Sequence, residues 1–218
     1  MNISLSQIVV RLPGRDAPLF SIPSLEIPTG SRVLIQGPSG RGKTTLLYLL
    51  SGQFLPDEGT IHIGGHDVTA MDEDARSRLR RKHFGIVFQR LNLLEHLTAM
   101  ENIGVGNSGS QAFESAAANA LTRMGLAPQS NQRCGTMSVG EQQRVAVARV
   151  VATQPDIFLA DEPTSSLDNV NAETVMEGLC AAAKGRTLCV VSHDARIRRF
   201  FDTVIDFEQW VVEEKVLA

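Results

Sequence analysis

Apolar residues alternate with polar ones in the first third of the chain, at a spacing that predicts strands. ISLSQIVV (3–10) and LFSIPSLEI (19–27) flank a Pro/Gly-rich turn, and the shorter apolar run RVLIQ (32–36) follows. TIHI (60–63) followed by Gly64-Gly65 predicts a hairpin. Beyond it the period changes. Helices are predicted over 42–52, 72–81, 112–125, 138–152 and 170–183, and strands over 84–88, 156–161, 187–191 and 203–207. In 112–125, Phe113, Ala117, Ala120, Leu121 and Met124 share one face at the 3.6-residue period, behind a Gly/Ser-rich loop at 104–111. The helices from about 90 to 153 interrupt a strand–helix alternation. The pattern predicts an α/β core with a β-rich N-terminal part and an inserted helical subdomain.

Composition adds exclusions. With 43% hydrophobic and 21% charged residues the 218-residue chain has ordinary globular usage. A net charge of −3 and a pI near 6.0 offer no global attraction to nucleic acid. Cys134, Cys180 and Cys189 are odd in number and lack metal-ligand spacing, which predicts reduced thiols. No apolar run reaches the roughly 18 residues that cross a bilayer. The first residues, MNISLSQIVV, lack the basic stretch of a secretory signal, so a soluble, cytosolic protein is expected.

Three stretches carry chemistry. GPSGRGKT (37–44) follows an apolar strand and opens a helix, the context of a phosphate-binding loop. Its glycines Gly37, Gly40 and Gly42 let successive N–H groups turn inward, Lys43 supplies a charge for the β and γ oxygens, and the Thr44 hydroxyl can ligate Mg²⁺. DIFLADEP (156–163) ends a buried strand in adjacent carboxylates. Alternation aims Asp161 and Glu162 in different directions, one able to face Mg²⁺ and the other an attacking water. MSVGEQQR (137–144) starts a helix on which Ser138 and Glu141 have capping-box spacing, and such a start can also hold an anion.

In order and spacing these pieces resemble the nucleotide-binding subunit of an ABC transporter, over nearly the whole chain. The resemblance implies a P-loop NTPase core with a mixed sheet, an N-terminal antiparallel β subdomain (with the core, about 1–89 and 154–218) and a helical subdomain at about 90–153, all one domain. GPSGRGKTT resembles the loop that binds ATP, which assigns Gly37, Pro38, Ser39, Gly40, Arg41, Gly42, Lys43, Thr44 and Thr45 to nucleotide. Gln89, ending FGIVFQ, resembles the glutamine that touches Mg²⁺ or the lytic water. MSVGEQQRVAVAR resembles the signature helix, so Ser138, Gly140 and Glu141 would complete the site of a second ATPase subunit in trans. Asp161 would hold Mg²⁺ with Thr44 and Gln89, Glu162 would be the general base, SSLD (165–168) would cross the dimer interface, and His193 in VVSHD would contact the γ-phosphate. The remaining histidines, His62, His66, His83 and His96, are expected to be structural.

The implied function is ATP hydrolysis that drives a separate membrane permease, with the chain cytoplasmic and peripheral on the inner face of the membrane. RLNLLEHLTAMENI (90–103) would line the groove for a permease helix. Together with EGTIHIGGHDV (58–68) it is similar to subunits of the lipoprotein-release and macrolide-export type, which points to export or extraction of a lipid-linked or amphipathic substrate. An ATP-driven mechanotransmission module shares all these motifs. A DNA-repair type ATPase would carry a coiled-coil insertion that this sequence lacks, and an impaired half of a heterodimer fits poorly with Lys43, Glu162 and His193. Two departures stand out. Val139 occupies a signature position that is usually glycine, and the aromatic expected to stack on adenine near Leu12 is missing, with Phe20 as a substitute. The chain stops soon after FDTVIDFEQWVVEE, which suggests no appended regulatory domain.

Overall fold

The computed structural model describes residues 1–14, 17–107 and 110–212. In place of a mixed sheet in the core, the strands form two sheets, one antiparallel and one parallel. β1 (Ile3–Arg11), β2 (Pro18–Ile27), β4 (Glu58–Ile63) and β5 (His66–Asp67) form an antiparallel sheet in the order β2-β1-β4-β5. Pro18 and Pro23 sit on its edge strand β2, where a missing N–H costs least. The β4–β5 connection is the predicted Gly64-Gly65 turn, with φ of 56° and 84°, the backbone that a two-residue hairpin of matching twist requires. β3 (Arg32–Gln36), β6 (Phe84–Val87), β7 (Ile157–Asp161), β8 (Thr187–Ser192) and β9 (Thr203–Asp206) form a second sheet, order β6-β7-β8-β3-β9, in which every pairing is parallel.

Helices cover both faces of the parallel sheet, so its central strands are apolar along most of their length. β7 and β8 are buried at every residue. Alternation along them feeds two cores. Ile157, Leu159, Cys189 and Val191 pack with α1 (Lys43–Leu50) and the antiparallel sheet. Phe158, Ala160, Leu188 and Val190 pack with α3 (Ala99–Gly104), α4 (Gln111–Arg123), α5 (Val139–Thr153) and α6 (Asn169–Ala182). α2 (Glu73–His83) buries no residue. Leu79 packs on the first core, Arg80 reaches the Gly52 carbonyl (2.8 Å), and His83 bonds Asp156 (2.6 Å), a hydrogen bond that keeps the Asp156 carboxyl below its usual range.

The helices of the 90–153 stretch are α3, α4 and α5, packed on one another beside that second core. α3 is six residues long and was hidden in the leucine-rich run before it, although Thr98 and Glu101 form a complete capping box. The Gly/Ser-rich loop at 104–111 falls partly outside the described residues, and Ser110 at its end caps α4. Among the described residues, no helix is long and apolar enough to cross a membrane.

The antiparallel sheet contains one irregularity that the sequence pattern does not announce. Gln7, in mid-strand, has φ 54°, and the β1–β4 register slips between Ser6 and Val9, a bulge. Gly59 closes on it with φ 96°, and a Cβ there would press into the carbonyl oxygens of Ser6 and Gln7. Replacing Gly59 with alanine should therefore cost about 2–4 kcal/mol of stability, read as a lowered urea midpoint. A shift within the error of the measurement would show that the bulge absorbs the methyl.

Candidate active site

The parallel register sets the site. Gln36 at the end of β3 lies beside Ser192 at the end of β8, and Asp161 at the end of β7 lies beside Val191. The loops leaving these strand ends, 37–42, 162–168 and 193–196, therefore emerge side by side.

The phosphate loop runs from Gly37 to α1. Gly40 (φ 78°) and Gly42 (φ 110°) take left-handed backbone, whereas Gly37 serves close packing, since a Cβ would sit 3.1 Å from Phe207. Gly42 is the N-cap of α1 and supplies no side-chain acceptor. The other α-helices are each capped by a side chain, Asp72, Thr98, Ser110, Ser138 and Asp168. The first N–H groups of α1 thus have neither an intrahelical nor a capping acceptor, which suits an anion. Arg41 bonds Glu208 through Nε (3.0 Å) and Nη2 (3.1 Å), tying the loop to the segment after β9.

Lys43 is nearly buried and donates to the carbonyls of Gly37 (2.7 Å) and Pro38 (2.8 Å). Its ammonium lies 3.6 Å from Glu162 Oε1. The Thr44 hydroxyl donates to Asp161 Oδ2 at 2.7 Å. Burial pushes the Asp161 carboxyl above its usual range, with the Glu162 charge adding to that and the Thr44 bond and Lys43 opposing it. Glu162 accepts from the Ser192 hydroxyl (2.6 Å), from His193 N (3.1 Å) and from His193 Nδ1 (2.8 Å), so against a carboxylate Nδ1 carries the hydrogen. The predicted divergence of the two acids is only partial. They bond different partners, yet both line one cavity of about 190 Å³ with Ser39, Gly40, Gly42, Lys43, Thr44 and Gln89. Glu162 has φ 49°, and that left-handed turn swings it back after the strand ends.

Thr44, Asp161 and Gln89 around that cavity are hard oxygen donors. Among the described residues no three His, Cys, Asp or Glu side chains cluster as a metal cage. A partial oxygen set beside a phosphate loop fits Mg²⁺, which keeps waters and takes phosphate oxygens as ligands.

Ser138 and Glu141 lie outside this cavity. They form the complete capping box: Glu141 N donates to Ser138 Oγ (3.3 Å), and Ser138 N donates to Glu141 Oε2 (2.8 Å). The Ser138 hydroxyl holds the Glu141 carboxyl below its ordinary range. Val139 is 60% exposed. A Cβ on Gly140 would meet Leu167 at 3.3 Å, which places the start of α5 against the 165–168 loop.

Phe20 does not present a face to a base. It is fully buried, edge-on to Phe207 (centroids 5.3 Å apart) and under Gly42, while Leu12 is 38% exposed. Residues that sequence reading passed over sit behind the acids: Ser192, Thr164, Asp194 and Arg196. Asp194 accepts from Thr164 Oγ1 (2.8 Å) and from Arg196, which holds its carboxyl below the usual range. The signal was present in VVSHD, where a buried serine precedes His193.

A family model described as ABC transporter matches residues 20–165. An uncharacterized ABC transporter ATP-binding protein of Mycobacterium tuberculosis (strain H37Rv) is 41% identical over 188 residues, covering 84% of this chain and 57% of that protein. The macrolide export ATP-binding/permease protein MacB of Shewanella sp. (strain W3-18-1) is 37% identical over 194 residues, covering 87% of this chain and 30% of that one. The chain thus spans between about a third and little more than half of these relatives. A solved dimeric structure of the ATP-binding cassette MJ0796 in a post-hydrolysis state, bound to ADP and Pi, superposes with a TM-score of 0.84 at 31% identity, covering 94% of both chains. The family match runs from β2 through the phosphate loop to the acids at the end of β7, and the fold recurs in that solved cassette: this chain belongs to the ABC transporter family.

Proposed function

We propose that the chain pairs with a second ATPase subunit, a copy of itself, around ATP, and that this cycle drives a separate integral membrane permease exporting or extracting a lipid-linked or amphipathic molecule. The observation that carries the reading is an incomplete site. The phosphate cavity holds residues of 39–44, Gln89, Asp161 and Glu162, but none of the exposed start of α5. The dimeric cassette to which the chain is similar supports pairing, and the relatives named for macrolide export support the cargo class. An apolar groove of about 540 Å³ lined by Leu97, Met100, Val105 and Phe113 suits a permease helix. That attachment would hold the chain at the inner face of the membrane.

In this reading the loop Gly37-Pro38-Ser39-Gly40-Arg41-Gly42-Lys43-Thr44-Thr45 wraps the phosphates, with the first N–H groups of α1 and the Lys43 ammonium turned to their oxygens. Thr44, Asp161 and Gln89 hold Mg²⁺, which supplies charge neutralisation across the phosphates. Glu162 takes the proton of the attacking water, and His193 stabilises the γ-phosphate. Ser138, Gly140 and Glu141 at the start of the partner's α5 face that phosphate, so ATP joins the pair and its hydrolysis releases it.

Three experiments test this. Glu162→Gln should lower ATP turnover by about a hundredfold or more and trap a dimer with ATP, measured by light scattering; a chain that stays monomeric with ATP would sink the pairing. Val139 adds a stiff side chain where backbone must approach phosphate. Val139→Gly should raise steady-state ATPase of complexes isolated from membranes by roughly two- to fivefold, and an unchanged or lower rate refutes that role. Mass spectrometry of those same complexes should identify an integral membrane permease.

A further inference from the structure

The two carboxylate oxygens of Glu162 have unequal surroundings. Oε2 accepts from the hydroxyl of Ser192 at 2.6 Å and, at a longer 3.4 Å, shares the backbone N–H of His193 with Oε1. Ser192 ends β8 and is fully buried. Its Oγ in turn accepts the Asp194 N–H at 3.1 Å, so its single hydroxyl hydrogen is committed to Glu162. Asp194 cannot drift, because Thr164 Oγ1 (2.8 Å) and the Arg196 guanidinium (2.8 and 2.9 Å) grip its carboxylate. Arg196 also donates to Asn169 Oδ1 (2.7 Å) and the Leu167 carbonyl (3.3 Å), fastening the network to the first residue of α6 and the loop before it.

Oε1 is held differently. Its partners are His193 N and Nδ1, with the Lys43 ammonium at 3.6 Å. The His193 side chain is 50% exposed, so it can swing to a phosphate without disturbing the core, and Lys43 turns to phosphate oxygens as well. Ser192 has no such freedom.

We propose that Ser192 is a positioning residue for the base: it anchors Oε2 and thereby leaves Oε1 as the oxygen that takes the proton of water. This rests on Glu162 acting as the general base. The water oxygen bonds to the γ-phosphorus, its proton passes to Glu162 Oε1, and the bond from phosphorus to the β–γ bridging oxygen breaks with its electron pair left on ADP. A carboxylate pinned at one oxygen keeps the other aimed, which is an orientation effect exerted on the transition state and not on ATP binding.

The test compares Ser192→Ala and Ser192→Thr, alone and with Glu162→Gln. Ser192→Ala should lower kcat by roughly tenfold with KM for ATP unchanged, and it should still form the ATP-dependent dimer by light scattering. Ser192→Thr, which keeps the hydroxyl, should restore most of the rate. In the Glu162→Gln background Ser192→Ala should reduce the residual rate no further, because the two residues act as one unit. The proposal is overturned if Ser192→Ala keeps a kcat within twofold of the parent, if its loss appears in KM or in dimer formation, if threonine does not rescue, or if it adds to Glu162→Gln. If Glu162→Gln itself retains the parent rate, the base assignment fails and takes this proposal with it.

Discussion

Parallel pairing of β3, β8 and β7 is the constraint on which the site depends. Three strands ending at one level deliver the phosphate loop, the acid pair and the Ser192–His193 turn to the same few ångströms. Parallel strands require crossover connections, and those crossovers are the helices that bury both sheet faces. The interior therefore has to be apolar along nearly whole strands, as β7 is up to Ala160 and β8 is from Leu188 to Val191. Residues 161–162 and 192–193 are where that apolar run stops. Polar chemistry is confined to the rim by the same packing that makes the core.

Confinement has an electrostatic cost. Lys43, Asp161 and Glu162 are all nearly buried, at 5%, 3% and 6% exposure. Within the chain one ammonium faces two carboxylates, so the site is under-neutralised, and desolvation already pushes Asp161 up. The Thr44 hydroxyl, the Ser192 hydroxyl and the His193 N–H supply the hydrogen bonds that make such burial tolerable. A cation beside Asp161 would relieve the imbalance, while phosphate oxygens would draw Lys43 away from the Gly37 and Pro38 carbonyls. The arrangement is poised for those arrivals and is not a structural salt bridge in the ordinary sense.

What the sequence made legible was contiguous. The phosphate loop, the strand-end acids, the hairpin turn and the Ser138–Glu141 capping box each lie within about nine consecutive residues, so local spacing determines their geometry. The helical period located α1, α2, α4, α5 and α6, but α3 spans too few residues to show one. Contacts made across the fold stayed hidden. Ser192 and Glu162 are 30 positions apart and meet only because β7 and β8 are neighbours. The Gln7 bulge depends on Gly59 some fifty residues away, and Phe20 is removed from any role in stacking by Phe207, which nothing local predicts. The turn at Glu162 likewise breaks a strand rule that its neighbours obey.

Two helix starts in this chain have anion-binding potential, and they differ in a way that matters for a cycle. α1 opens on a glycine with no side-chain cap, so in the proposed cycle its N–H groups would gain their first acceptors from phosphate. α5 opens already capped, with Ser138 and Glu141 satisfying each other and only the N–H groups of Val139 and Gly140 left without an intrahelical partner. In the proposed pair, one chain's α1 holds the nucleotide strongly and the other's α5 touches it with a terminus that is stable by itself. A contact whose loss strands few buried donors is easily undone. Strong retention on one side and low-cost release on the other are what an interface needs if it is to close on ATP and open after hydrolysis.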